Sequence, residues 1–178
     1  RAATTAEGFA VLGVAIRREP WIFTLSTIGS VLFGALTVAE AINVLWNAVR
    51  QFHIVFDQPH PDQPTMQTPD LTKRRADWIE EEKDELLAAE TVEDQADAYI
   101  DGIYFNLGGL VELGILPGRL LELVQEANMA KRHIVNGELV VVKNASGKVL
   151  KPADWVDPTP KQRAEVARQV RETPLRLK

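Results

Sequence analysis

The chain contains no cysteine, which excludes disulfide frameworks, thiolate zinc sites and cysteine nucleophiles together and leaves the redox compartment open. Histidine is scarce. His53, His60 and His133 form no H-x-x-x-H ligand spacing, so they read as surface or packing residues, and a bound metal must rely on oxygen. No G-x-x-x-x-G-K-[ST] sequence occurs, which excludes a P-loop nucleotide site. No D-x-D pair occurs either, which removes the aspartyl-phosphate nucleophile of one phosphatase class. Excess positive charge is also missing: the formal net charge is -5, which argues against broad nucleic-acid coating. Repeats and low-complexity runs are absent. What is there is 178 residues, 46% apolar and 25% charged, enough for one main core and not the composition of a disordered chain. The first residue is Arg1 rather than Met, compatible with a fragment of a longer chain.

Composition changes sharply near residue 42. From Ile22 to Ile42 only Glu40 is charged, and a helix of that length would just cross a hydrocarbon layer of about 30 Å. Its Ser, Thr and Gly content suits a buried helix of an oligomer equally well. Phe9 to Ile16, followed by Arg17, Arg18, Glu19 and Pro20, reads as a short amphipathic segment broken at the proline. Residues 1 to 41 resemble in pattern the elbow helix and first membrane helix of ATP-binding-cassette exporters.

After residue 42 the apolar spacing is that of amphipathic helices. Val44, Leu45, Val49, Phe52 and Phe56 mark the first, which must end by His60-Pro61. A polar loop from Gln58 to Pro69 follows, and the second helix runs from Asp70 or Thr72 to Ala89. Thr91 with Asp94 predicts a capping box for a third helix reaching Leu113, stopped by Gly114. Pro117 opens a fourth to about Ala130. Asn136-Gly137 and Ser146-Gly147 bracket Leu139 to Val142 as a short hairpin or β-arm. Thr159-Pro160 opens a last charged helix, Lys161 to Glu172.

The chemistry lies in the acids. The second helix carries Glu80, Glu81, Glu82 and Glu85, and the third Asp94, Asp97 and Asp101. Residues four apart share a helix face, so Glu81 with Glu85 and Asp97 with Asp101 form stacked, repelling pairs. A short connection makes the two helices antiparallel neighbours, with Ile79, Leu86, Ile100, Ile103, Tyr104 and Leu107 expected as their shared inner face. Four or five carboxylates then converge. At an effective dielectric of about 20, two like charges about 4 Å apart cost roughly 4 kcal/mol, so such a cluster calls for a cation. Carboxylate oxygens suit Mg²⁺, with Mn²⁺ as an alternative, and the combination favours phosphoryl or nucleotidyl transfer to water. The run EEEKDE by itself would be a solvated face, partly neutralised by Lys83, Arg74 and Arg75. Acids inside the otherwise apolar third helix are what demand another explanation.

WIEEEKDEL (Trp78 to Leu86), DQADAYIDGIYFNLGGLVELGI (Asp94 to Ile115), EANMAK (Glu126 to Lys131) and GKVLKP (Gly147 to Pro152) resemble, in that order, the all-α nucleoside triphosphate pyrophosphohydrolases of the MazG-like type. The branch most similar is the one related to phosphoribosyl-ATP pyrophosphohydrolase. The resemblance covers about Asn43 to Pro160. It implies an all-α, four-helix bundle with a small C-terminal β-arm, here with an extra apolar N-terminal helix, and a homodimer or homotetramer in which neighbouring chains complete the core and the site. It also implies Mg²⁺-dependent cleavage of a nucleoside triphosphate to the monophosphate and pyrophosphate. The E-E-x-x-E motif falls on Glu81, Glu82 and Glu85, as metal ligands and catalytic groups. The second motif, E-x-x-D, departs here: Ala98 replaces its Glu, leaving Asp97 and Asp101, with Asp94 as an alternative ligand. Asn128 and Lys131 match an N-x-x-K near the nucleotide phosphates, Lys148 and Lys151 are further phosphate candidates, and Trp155 could stack on a base or pack against the body.

The chain thus divides into an apolar segment 1–42, a catalytic domain 43–160 and a charged helix or tail 161–178. The enzyme is expected in the cytoplasm, with membrane contact through residues 22–42 as an open alternative. The rival reading is a membrane-anchored helical interaction module, or a transporter fragment, without catalysis.

Overall fold

Thr37 begins the first helix with both halves of a capping box: its hydroxyl accepts from the Glu40 N–H at 3.1 Å, and the Glu40 carboxylate accepts from the Thr37 N–H at 2.7 Å. The computed structural model describes residues 37–176. Most of the exporter-like pattern and of the apolar stretch 22–42 therefore lies outside the described residues, among which no helix is long and apolar enough to cross a membrane.

Helix α1 spans Val38–Val55 and ends where Asp57 takes a left-handed conformation, φ 51°. Its buried face differs from the expected one. Trp46, Val49 and His53 are buried, whereas Val44, Leu45, Phe52 and Phe56 are 42% to 59% exposed. The helix carries apolar residues on two faces, and the face chosen places Trp46 and Val49 against Leu107 and Val111, with Ile42, Leu110 and Leu116 around them. A stripe count cannot choose between two apolar faces.

Helix α2, Pro69–Ala88, starts with Thr68 as N-cap and Pro69 in its first turn. Helix α3, Val92–Glu112, has the anticipated Thr91/Asp94 capping box, and Gly114 stops it at φ 63°. A Cβ at Gly114 would lie 2.6 Å from the Gln63 carbonyl oxygen, so the stop also lets the 56–68 loop close over the helix end. Helix α4, Gly118–Met129, is capped from a distance by Asn43, whose Oδ1 accepts from the Gly118 N–H at 2.9 Å. Strands β1, His133–Val135, and β2, Glu138–Val140, pair antiparallel with His133 opposite Val140. Both turn residues have positive φ, 53° at Asn136 and 83° at Gly137, as a two-residue hairpin requires.

Helix α5, Thr159–Arg176, packs on α4. Gln169 helps to fasten it. The Gln169 carbonyl accepts from the Leu116 N–H and its amide donates to the Leu116 carbonyl, both at 2.9 Å. The all-α class stands, with five helices and one two-stranded sheet among the described residues. The boundary drawn at residue 42 falls inside α1, and the one at residue 160 falls inside α5.

Candidate active site

A connection of only residues 89–91 turns α2 back along α3, and among the described residues these two helices share the most extensive contact. That pairing sets Glu81, Glu82 and Glu85 across from Asp97 and Asp101. Glu82 is the pivot. It is 8% exposed, and its Oε2 has no hydrogen-bond partner. Burial raises its pKa above the ordinary carboxylate value, and the charges of Glu85, Asp101, Glu81 and Asp97 push it the same way. Acids from both helices therefore act on one carboxylate, whose Oε2 is buried.

The convergence is looser than expected. Glu81, Glu85, Asp97 and Asp101 are exposed, and among the described residues no three His, Asp or Glu side chains stand close enough to cage a metal ion. Four of the five acids face solvent, and Glu82 lies at the packed face. Lys83 does not relieve Glu82: its ammonium pairs with Glu80 at 3.0 Å and Asp84 at 3.2 Å. Asp94 is not part of the group. Its Oδ2 accepts from the Thr91 N–H at 3.1 Å, and its hydrogen bonds to Thr91 hold its pKa below the ordinary range.

The supposed inner face also needs correction. Ile79, Ile100, Ile103 and Tyr104 are 40% to 62% exposed, while Ala98 and Leu107 are buried. The contact closes further along, where Trp78 stacks on Phe105 with ring centroids 5.7 Å apart, and through a buried polar network. Arg75, expected to neutralise the acidic run, instead donates from Nη2 to Glu112 Oε1 at 2.6 Å and from Nε to Glu112 Oε2 at 2.8 Å. Gln67 Nε2 donates to the same Oε2 at 2.7 Å. His53, 2% exposed, contacts the Pro59 carbonyl through Nδ1 at 2.8 Å and Arg75 Nη2 through Nε2 at 3.3 Å. Gly108 leaves room for the guanidinium, since a Cβ there would meet Arg75 Nη1 at 2.7 Å. This network ties α1, the 56–68 loop, α2 and α3 together, roughly two to three helical turns from the acids.

The phosphate candidates stand elsewhere. Lys131 donates to Asn128 Oδ1 at 2.7 Å at the end of α4, and Lys148 is exposed beyond the hairpin. Trp155 is fastened to the body, its indole N–H donating to the Ala127 carbonyl at 2.7 Å, with Lys151 Nζ 3.6 Å from its ring centre. Trp155 lines a cavity of about 580 Å³ with the hairpin and the end of α4, whereas Glu82 lines a separate groove of about 710 Å³ between α2, α3 and α4. Trp155 and Glu82 thus line different cavities.

The family model described as phosphoribosyl-ATP pyrophosphohydrolase matches residues 49–128. The match runs from the middle of α1 to the last turn of α4 and includes all five acids and Asn128. Lys131, Lys148, Lys151 and Trp155 lie beyond it. No curated protein matches the chain.

Proposed function

From the premise that residues 49–128 belong to the phosphoribosyl-ATP pyrophosphohydrolase family, within the MazG-like all-α superfamily, we propose a Mg²⁺-dependent nucleoside triphosphate pyrophosphohydrolase. Family membership makes the domain a hydrolase of phosphoanhydride bonds. The finer reading is that a ribo- or deoxyribonucleoside triphosphate is cut between its α- and β-phosphates, giving the monophosphate and pyrophosphate. The observation that carries it is Glu82: a buried, unpartnered carboxylate in the field of acids from two helices.

The donor chemistry suits a hard divalent cation, although the side chains are not gathered around one point. Every donor is a carboxylate oxygen, and the one fixed donor has a vacant lone pair and a surplus of negative charge around it. Glu81, Glu82, Glu85, Asp97 and Asp101 would hold the ion. Mg²⁺, when bound, neutralises the triphosphate and polarises the bond that breaks. The chain supplies the rest: a carboxylate of the set takes the proton of the attacking water, and Asn128 and Lys131 offer an amide and a cation to the departing pyrophosphate. A second copy of the chain would complete the site, as the resemblance to the MazG-like enzymes implies. An exposed aromatic patch supports such pairing, with Phe52 and Phe56 centroids 4.5 Å apart and Tyr104 edge-on to Phe52 at 6.0 Å.

The test is pyrophosphate release from a panel of nucleoside triphosphates with and without Mg²⁺. Glu82→Gln and Asp101→Asn should each lower turnover at least about a hundredfold; unchanged turnover in either refutes that residue's role.

A further inference from the structure

The 56–68 loop is tied to the helices at both ends, and the two ties meet in one buried chain of hydrogen bonds. At its start the Pro59 carbonyl contacts His53 Nδ1 at 2.8 Å; at its end Gln67 Nε2 donates to Glu112 Oε2 at 2.7 Å. Arg75 joins them, with Nη2 3.3 Å from His53 Nε2 and 2.6 Å from Glu112 Oε1. These neighbours fix the proton on the ring. A carbonyl only accepts and a guanidinium only donates, so Nδ1 carries the hydrogen and Nε2 offers its lone pair. We propose that His53 is an acid-sensitive latch: neutral, it accepts from Arg75 and keeps the loop closed over the end of α3, and on gaining a proton it drives Arg75 away and lets the Gln67 end of the loop open.

A second proton on the ring has no acceptor where it would stand. His53 is 2% exposed, so water does not reach the new Nε2–H, and the group it points at is a cation. Among the described residues Glu112 is the one acid acting on the ring, and both its oxygens already accept, Oε1 from Arg75 and Oε2 from Arg75 and Gln67. His60, on the loop, disfavours the charge, and Arg50, one turn earlier on α1, pairs with Asp62. The charged ring therefore keeps its bond to Pro59 and loses Arg75. As the guanidinium withdraws Glu112 follows it, and Gln67, which shares Oε2 with Arg75, loses its acceptor. The Thr65 N–H, bonded to the Leu113 carbonyl at 2.9 Å, is then left to hold that end of the loop and opens more often. The latch is independent of the hydrolase reading, because its residues stand apart from the acids.

The experiment is an NMR titration of the full chain downward from pH 7.5. It reads the ring nitrogens of His53 together with the exchange protection of the Thr65 amide, corrected for the pH dependence of intrinsic exchange. At pH 7.5 the ring should be the neutral Nδ1–H tautomer; the Nε2–H tautomer or a charged ring overturns the proposal without recourse to any variant. On acidification Thr65 protection should fall about tenfold or more, with the midpoint of the ring, while α4 and α5 keep theirs. His53→Asn retains a donor for the Pro59 carbonyl and cannot titrate, so its loop should not respond to pH, whereas His60→Gln should respond as the parent does. Three results each overturn the latch: Thr65 protection that persists through the ring's midpoint, a response kept in His53→Asn and lost in His60→Gln, or global unfolding before the ring protonates.

Discussion

Glu112, 4% exposed, holds a bidentate contact with Arg75 and a third bond from Gln67, so removing one partner strands a buried charge. Glu112→Ala should cost about 3–5 kcal/mol, whereas Arg75→Met with Glu112→Leu should cost clearly less than the two single changes summed. Urea denaturation of the parent, Glu112→Ala, Arg75→Met, Glu112→Leu and the double variant measures this, and additive losses in the double would contradict it. His53 belongs to the same network. Burial pushes its pKa below the ordinary 6.5, and Arg75 adds to that, while the Pro59 hydrogen bond and Glu112 oppose it and nearby His60 lowers it slightly further. The folded protein therefore keeps His53 neutral longer than the unfolded chain does. Its contribution to stability is complete above the ordinary value and declines as pH falls from there through the depressed one. An NMR titration should find the His53 ring protonating below pH 6.5; protonation above that contradicts the burial account. Glu112 stands in the apolar run GLVELGI, so the logic that singled out Asp97 and Asp101 applies to it equally. What the sequence could not supply is its partner, 37 residues away.

At the scale of elements, the ends of helices were the most legible features. The Thr91/Asp94 capping box and the Gly114 stop act through local backbone requirements and stand where that chemistry placed them, whereas Pro69, read as the last loop residue, opens α2, and Pro117, expected in the first turn of α4, is its N-cap. Asn136-Gly137 marked the hairpin turn for the same reason. Faces were harder. On α1 two apolar faces competed, and on α3 the residues Ile100, Ile103 and Tyr104 stay exposed within one chain, because a pattern shows which residues avoid water but not whether a core, a ligand or another copy covers them. The docking of α5 was not legible at all. It depends on Gln169 bonding both backbone groups of Leu116, in a polar helix where glutamine has no distinguishing pattern. Gln169→Leu leaves both Leu116 groups buried and unpaired, and should cost about 1–3 kcal/mol per group. Hydrogen exchange should then quicken in 159–176 and at Leu116 before it does in α2 and α3; uniform loss of protection would contradict this.

For the whole molecule, the fold is a device that keeps one acid in place while its neighbours stay free. The Arg75 network and the Trp78–Phe105 stack fix α2 against α3, Glu82 sits at the resulting seam, and Glu81, Glu85, Asp97 and Asp101 stand around it from solvent. The acidic motif was readable because its residues lie in two short windows; the separation of Trp155 from it was not, because that depends on how the C-terminal arm folds back onto α4. With its pKa raised, Glu82 penalises the metal-free fold at neutral pH, and the penalty lifts as pH falls through that raised value toward the ordinary one. The most direct measurement is therefore thermal unfolding of the parent protein and Glu82→Gln at pH 7.5, with and without Mg²⁺. The expected result is that Mg²⁺ raises the Tm of the parent, by an increment that shrinks on acidification, and that Glu82→Gln melts higher than the parent without metal but gains nothing from Mg²⁺. A parent Tm indifferent to Mg²⁺, or a Glu82→Gln variant that melts lower without metal and still responds to the ion, would contradict the account.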